Sequence, residues 1–586
     1  MLSLFHIVSQ KKSCQFKVKD ITVPQLSSKP VGIVFLPLIQ RSAMKLFKSL
    51  GLFVSACLTC GIATAADHHV KWHNDGKVDL VMEDGTTIST TREELGSLFG
   101  PDQKPFDGVN ISVTVNSGGP KGGISGPLYS FRPIWEELTG GKLDIVELPF
   151  GEHYTKMMLD LRNGTGQYDA FMVGAFWYGD IVPNGYAFPI DDFMTTGEYP
   201  QWTYDSMPQS LKTLHTWEGV GYGVLNDGDG QVLYYRRDAL ANPEWRAQFK
   251  KEYGYSMPVP PKTWQQMLDI SNFFNGKNWD SNDPDPDAGT VLHLKVGEQG
   301  HYHFQSLSAS FAITPGPELD QYHNVYWFDP TNMKPLINSP GHVAALEFLQ
   351  ELHKTGPSAQ VGWSLGEAWD YFLRGKSVFV FSWGDVGSLC QDTSRSKIQG
   401  VCASSILPSS DTYYDHETKK FVKTTNPVKV GNTTGGSWHG VISNYSANPE
   451  ATYSLLSLMA IKPASVWLAQ NGWTGVDPGF TYQFLEPQGE AGLGDYLDAG
   501  WSEADVKDYL KAYYETFFAD TFLPYLRIPG SFEYWDILDK NLSATMSGEI
   551  SAQQALDSTA KTWEQITDRL GRDQQLGYYQ SAIGYK

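Results

Sequence analysis

Two stretches of this chain carry residues that could hold or transform a small molecule. Ala175-Phe-Trp-Tyr-Gly-Asp180 sets three aromatic rings in a row just after a β-rich run and a glycine. Adjacent rings at a strand end either fill a core or line a cleft as flat apolar faces. Val378-Phe-Val-Phe-Ser382 likewise runs into Trp383-Gly384-Asp385, a ring next to a carboxylate. Motifs for covalent chemistry do not reach their required forms. Gly435-Gly-Ser-Trp-His439 lacks the final glycine of a nucleophile elbow, and His416-Glu417 continues as Thr-Lys-Lys, so it is no zinc helix. Gly375-Lys376-Ser377 has Asp370 where a phosphate loop needs glycine. The acidic run Asn275–Asp287 starts like a calcium loop, but Ala288 replaces its glycine and Leu294 stands at the closing carboxylate. A solvated turn is expected there, with no metal and no cofactor. Paired carboxylates are too numerous to exclude a glycoside hydrolase, which stays an alternative.

The elements that would position these residues alternate in type. Ile111–Val115 reads as a strand, followed by a Gly/Ser turn cluster from Asn116 to Gly126. A helical pattern through Leu128, Phe131, Ile134, Trp135 and Leu138 then stops at Gly140-Gly141. Leu143–Leu148 is the next strand, Tyr154–Leu161 a helix ending before Gly164, and Tyr168–Val173 a third strand. Strand, helix, strand, helix, strand predicts an α/β layer with parallel strands, whose ligands sit outside the carboxyl ends. Ser117–Gly122 and Ala175–Asp180 occupy that place. Further on, His342–Leu352 and Gly366–Leu373 read as amphipathic helices, 451–468 as one long helix and 536–567 as two more. Val78–Thr87 suggests a small hairpin outside the main pattern.

Composition narrows the function classes. The 586 residues include 45 Lys+Arg against 65 Asp+Glu, a net charge of −20. That balance argues against nucleic acid, whose partners carry a basic stripe. From Met44, two lysines precede an apolar core at Leu50–Ile62, and Ala63-Thr64-Ala65 follows as a small-x-small cleavage pattern. Translation is expected to begin at Met44 and residues 1–65 to be removed as leader and signal peptide; lipid attachment at Cys57 is the alternative. The mature chain would be exported, and it would keep Cys390 and Cys402 of the five cysteines. One even pair in an exported protein is expected to form a disulfide.

Nine motifs then follow one another in a characteristic order. They are Phe131-x-x-Ile-Trp-Glu-Glu-Leu-Thr-Gly140, Asp160-Leu-Arg-Asn-Gly-Thr-Gly-Gln-Tyr-Asp169, Gly185-Tyr-Ala-Phe-Pro-Ile-Asp-Asp192, Gly221-Tyr-Gly-Val224, Leu233-Tyr-Tyr-Arg-Arg-Asp238, Pro260-Pro-Lys-Thr-Trp264, Phe372-Leu-Arg-Gly-Lys-Ser-Val378, Pro449-Glu-Ala-Thr-Tyr-Ser-Leu-Leu456 and Ser547-Gly-Glu-Ile-Ser-Ala-Gln-Gln-Ala-Leu556. In that order the chain, from about 106 to 570, resembles the carbohydrate-type extracellular solute-binding proteins of bacterial ABC importers, the group that includes maltose-binding protein. The resemblance implies a two-lobed α/β periplasmic-binding-protein fold of type II, with three crossings between lobes. One lobe would hold 66–224 and about 432–482, the other about 225–431 and 483–586, with a hinge near Gly223-Val224.

By the same resemblance the ligand-binding residues are Trp177, Tyr178, Asp229, Gln305, Trp383, Asp385, Trp438, Tyr534 and Trp535. Trp177 would come from the first lobe and Asp229, Trp383 and Trp535 from the second. For Trp438 and Trp473 core packing is the competing reading, and His439 reads as a structural histidine. The implied function is capture of a sugar, oligosaccharide or polyol in the periplasm by a monomer that delivers it to an ABC permease at the inner membrane, with no catalysis. A non-carbohydrate solute is the alternative within this class. The stretches near 66–105, 280–300 and 405–430 are additions to the family pattern.

Overall fold

The structure is a computed structural model that describes residues 68–586 except 119–121, 123, 281–284, 286 and 472–474. The expected leader with Met44 and Cys57, half of the Ser117–Gly122 segment, part of the acidic loop and Trp473 lie outside the described residues. Among the described residues no helix is long and apolar enough to cross a membrane.

Two sheets organise the chain. The larger has five strands in the order Lys142–Leu148, Asn110–Asn116, Ala170–Gly174, Trp438–Ile442, Gly223–Asp227. Its first three strands run parallel, with Val113 level with both Ile145 and Ala170. Their connections are the helices Ser125–Thr139 and Phe150–Asn163, which end on left-handed residues at Gly140 (φ 77°) and Gly164 (φ 60°). Only glycine takes that conformation without strain, so both helices stop where the sequence predicts. The last two strands are antiparallel to their neighbours, which makes the sheet mixed.

The second sheet has the order Ala288–Val291, Ser377–Ser382, Val232–Arg236, Cys402–Ser405. Its central strands, Ser377–Ser382 and Val232–Arg236, are largely apolar and buried on both faces, as covered sheets require. The strand Gly223–Asp227 lies in one sheet and Val232–Arg236 in the other. The chain therefore passes between sheets at Gly228–Gln231, slightly later than the hinge expected near Gly223-Val224.

Two other expectations shift. The single helix over 451–468 is two, Pro449–Ala460 and Lys462–Gln470, with extended backbone at Ile461. Pro463 lacks the N–H that would continue the first helix, and its ring would strike the preceding turn. The small N-terminal hairpin gains a third strand, giving an antiparallel sheet of Val70–Trp72, Lys77–Val81 and Thr87–Thr91.

Cys390 and Cys402 are bonded, with Cα atoms 6.4 Å apart. Closing a loop of this length in the unfolded chain is worth about 2–3 kcal/mol. A Cys390→Ser/Cys402→Ser chain starting at Asp67 should lose about that much in urea unfolding. An unchanged midpoint would show that the bond contributes nothing.

Candidate functional site

A run of aromatic rings passes from one sheet to the other. Strand Ala170–Gly174 ends in the tight turn Ala175–Trp177, and Trp438 pairs with Gly174 at the start of its own strand. Trp177 and Trp438 thereby meet edge to face, centroids 6.1 Å apart, with His153 packed on Trp177 at 5.2 Å. From the other side, helix Ser531–Met546 brings Trp535 to 5.5 Å from Phe176. Helix His301–Ala312 supplies Tyr302, which lies edge-on to both Trp535 (5.8 Å) and Trp383 (5.5 Å). His293 stacks on Trp383 at 5.3 Å, and His301 lies against Trp535 at 5.7 Å.

Polar groups without partners border these rings. The indole Nε1 atoms of Trp177 and Trp535, both side-chain atoms of Gln305 and both ring nitrogens of His301 are buried without a hydrogen bond. Gln305 lies one helical turn beyond His301 and Tyr302, so it shares their face. Asp229 sits on the passage between the sheets, and Gly435 separates it from Trp383. A Cβ at Gly435 would strike Trp383 Nε1 and lie 2.9 Å from Asp229 Oδ2, while its φ of 104° suits glycine alone. Trp383 Nε1 donates to the Thr434 carbonyl at 2.6 Å, which fixes the ring.

Carboxylates cluster behind Asp229. Asp477 accepts from Gly384 N (2.7 Å) and Tyr513 OH (2.5 Å), and its own N–H donates to Asp227 (2.6 Å). Asp229 accepts no hydrogen bond among the described residues, so its oxygens are the ones left for a ligand. Asp227, Asp229 and Asp477 hold oxygens within 4.8 Å of one another, hard donors of the type a divalent cation takes.

The structure thus gathers Trp177, Asp229, Gln305, Trp383, Trp438 and Trp535 along one interior wall. Three expected residues lie apart from it. Tyr534 turns the other way, donating or accepting at Thr567 Oγ1 (2.8 Å) and packing on Trp563, because neighbouring helix residues point about 100° apart. Tyr178 packs on His439 at 4.8 Å beneath the wall. Asp385 starts the short helix Asp385–Leu389 beside Asp477 rather than facing the rings. Residues on the wall that the sequence reading missed are His293, His301 and Tyr302; Phe176 was noted as one of three adjacent rings but not assigned to the site. No local pattern marks them; only an i, i+4 spacing of polar His301 and Gln305 on an otherwise buried helix could have done so.

A model of the bacterial extracellular solute-binding proteins matches residues 135–486, more than half of the chain. This chain belongs to that family. A curated relative, the erythritol/L-threitol-binding protein of Mycolicibacterium smegmatis, is 26% identical over 94 residues, or 15% of this chain and only 20% of that protein. The match spans about a fifth of that relative's length. The structure also resembles an ABC transporter solute-binding protein from Agrobacterium radiobacter K84 in complex with ribitol, with a TM-score of 0.59 and 18% identity over 79% of this chain and 100% of that one. A second, from Agrobacterium vitis S4 with bound D-mannitol, gives 0.56 and 18% over 79% and 99%. Maltose-bound T. maritima MalE3 gives 0.56 and 19% over 78% and 100%. These likenesses establish the two-lobed type II α/β fold.

In this solute-binding protein burial works on acids and imidazoles in opposite directions. Desolvation, then mutual repulsion, raises Asp227, Asp229 and Asp477 well above the usual carboxylate range, and burial brings Asp385 to about 7. Burial holds His153, His293 and His301 down at about 3. An unfolded histidine takes its proton near pH 6.5 and these folded ones do not, so they remove stability as pH falls from 6.5. The aspartates keep their protons when folded and so remove stability as pH rises above about 4. His153→Gln should therefore shrink the gain in stability between pH 5 and 7, and Asp477→Asn should enlarge it. Urea midpoints at pH 5, 6 and 7 check this; equal slopes in all three proteins would refute it.

Proposed function

We propose that this chain is the periplasmic capture component of a bacterial ABC importer and that its solute is a sugar or polyol. It would act as a monomer, catalyse nothing and hand its solute to a membrane permease. One lobe would comprise 66–227 and about 432–482, the other about 228–431 and 483–586, with the solute between them. The observation that carries this reading is the ring wall, which draws on both sheets and is bordered by Asp229, Gln305 and two indole N–H groups. Apolar faces of a polyhydroxylated carbon chain or ring stack on aromatics, and its hydroxyls need acceptors and donors at fixed points. A neutral solute suits this lining, since burial holds the imidazoles along it uncharged and so leaves an anion uncompensated. Ribitol, D-mannitol and maltose in the structural neighbours, and erythritol or L-threitol in the curated relative, name the same chemical class.

Because the wall draws on both lobes, a solute would bind both only when they are closed and would shift the molecule toward that state. A thermal-shift screen over tetritols, pentitols, hexitols, monosaccharides and maltodextrins tests the ligand class. A saturating ligand at a hundred times its Kd adds about 2.7 kcal/mol of stability. The same ligand should reduce the radius of gyration in small-angle scattering. No response to any of them at millimolar concentration, or steady turnover of a glycoside, would overturn the reading.

A further inference from the structure

A cavity lies on the other side of Tyr525 from Trp535. Its volume is about 510 Å³, and it is bounded by helix Gln209–His215, the segment 517–527 and the end of the C-terminal helix Arg572–Ile583. Leu214, Phe517, Phe522 and Ile583 give it apolar walls. Two polar side chains on its lining are almost completely buried, Arg527 at 3% and Thr433 at 1% exposure.

Arg527 is the unusual group. Its Nη1 donates to the carbonyls of Thr216 (2.9 Å) and Leu214 (3.4 Å), at the carboxyl end of the helix, and its guanidinium lies over the Trp217 ring at 5.7 Å. Nε is buried without a partner, and no carboxylate pairs with the group among the described residues. Thr433 Oγ1 is also buried and unpartnered. The acid on the cavity's lining, Asp520, is solvent-exposed.

A buried guanidinium loses hydration that two carbonyls and a helix end replace only in part. The remaining donors call for an anion, and arginine's planar fork fits a carboxylate with two parallel hydrogen bonds. The apolar walls call for a hydrocarbon body behind that anion, and the volume lies in the range of small-molecule sites. We infer that this cavity binds a small organic monocarboxylate, its carboxylate on Arg527 and its apolar body against Leu214, Phe517, Phe522 and Ile583. None of Trp177, Asp229, Trp383 or Trp535 lines the cavity, although Tyr525 on its lining packs against Trp535 at 5.4 Å.

The test uses hexanoate and benzoate as probes, with hexanol, benzyl alcohol and inorganic sulfate as controls, on the chain from Asp67 to Lys586. Titration calorimetry and thermal shift should both give saturable binding of the carboxylates. The alcohols should bind at least tenfold more weakly, because they lack the charge, and sulfate should give no saturable binding. Arg527→Met should abolish the carboxylate response. Ala582→Trp fills the cavity while leaving Arg527 in place and should abolish it too, which decides the matter if Arg527→Met does not fold. Equal binding of acids and alcohols, a full response to sulfate alone, or an unchanged hexanoate response in Ala582→Trp would overturn the proposal. A polyol response retained in Ala582→Trp would separate this site's failure from that of the ring wall.

Discussion

Trp535→Ala should weaken binding of the sugar or polyol by about 5- to 150-fold while the protein still folds. The ring is the link between the two sides of the wall, packed on Phe176 at 5.5 Å and on Tyr302 and Tyr525 at 5.8 and 5.4 Å. Losing a buried aromatic contact is worth about 1–3 kcal/mol, and each 1.4 kcal/mol is a factor of ten. Trp535→Phe keeps a stacking face but loses the five-membered ring with its unpaired Nε1, so it should fall between the two proteins. Calorimetric titration with whichever polyol or sugar the screen returns measures all three. If Trp535→Ala binds as the parent does, the solute lies elsewhere. If it is insoluble while Trp535→Phe is normal, the ring is core.

A larger effect is expected at Gly435, in the loop that separates Asp229 from Trp383. With φ at 104° the backbone there is strained for any side chain, at about 1–3 kcal/mol. A methyl group would also press on the Trp383 indole at the point where it donates to Thr434. Relief requires moving either the ring or the Asp229 carboxylate, and both border the proposed solute. Gly435→Ala should therefore reduce affinity by more than about a hundredfold and lower Tm as well. Gly76→Ala, at a positive-φ turn with open space around it, serves as control: it should lower Tm slightly and leave affinity intact. Parent-like affinity in Gly435→Ala would mean that Trp383 and Asp229 do not hold the solute.

How much of this was legible beforehand varies with the range of the interaction. Tyr534 and Trp535 are adjacent, and the sequence reading assigned both to the site. The helix sends one toward Phe176 and the other toward Thr567, a choice made by where helix Ala552–Leu570 packs. Asp229 and Asp477 are separated by nearly half of the chain, yet they share one cluster. Nothing in the residues around either one indicates the other. His293, His301 and Tyr302 stand in the broken middle of the sequence, where no periodic pattern links them to Trp383 and Trp535.

By itself the sequence determined what depends on neighbours along the chain. The strand and helix alternation from 110 to 174 follows from apolar spacing, and Gly140 and Gly164 end their helices because they accept the left-handed conformation. The Cys390–Cys402 bond closes a short loop between two cysteines only twelve residues apart. The order of motifs carried the family. Only the tertiary structure decided where the chain passes between sheets and which rings form one wall. It alone left Arg527 buried without a carboxylate among the described residues. Those outcomes depend on close packing and on desolvation, and a buried group's surroundings come from segments hundreds of residues apart.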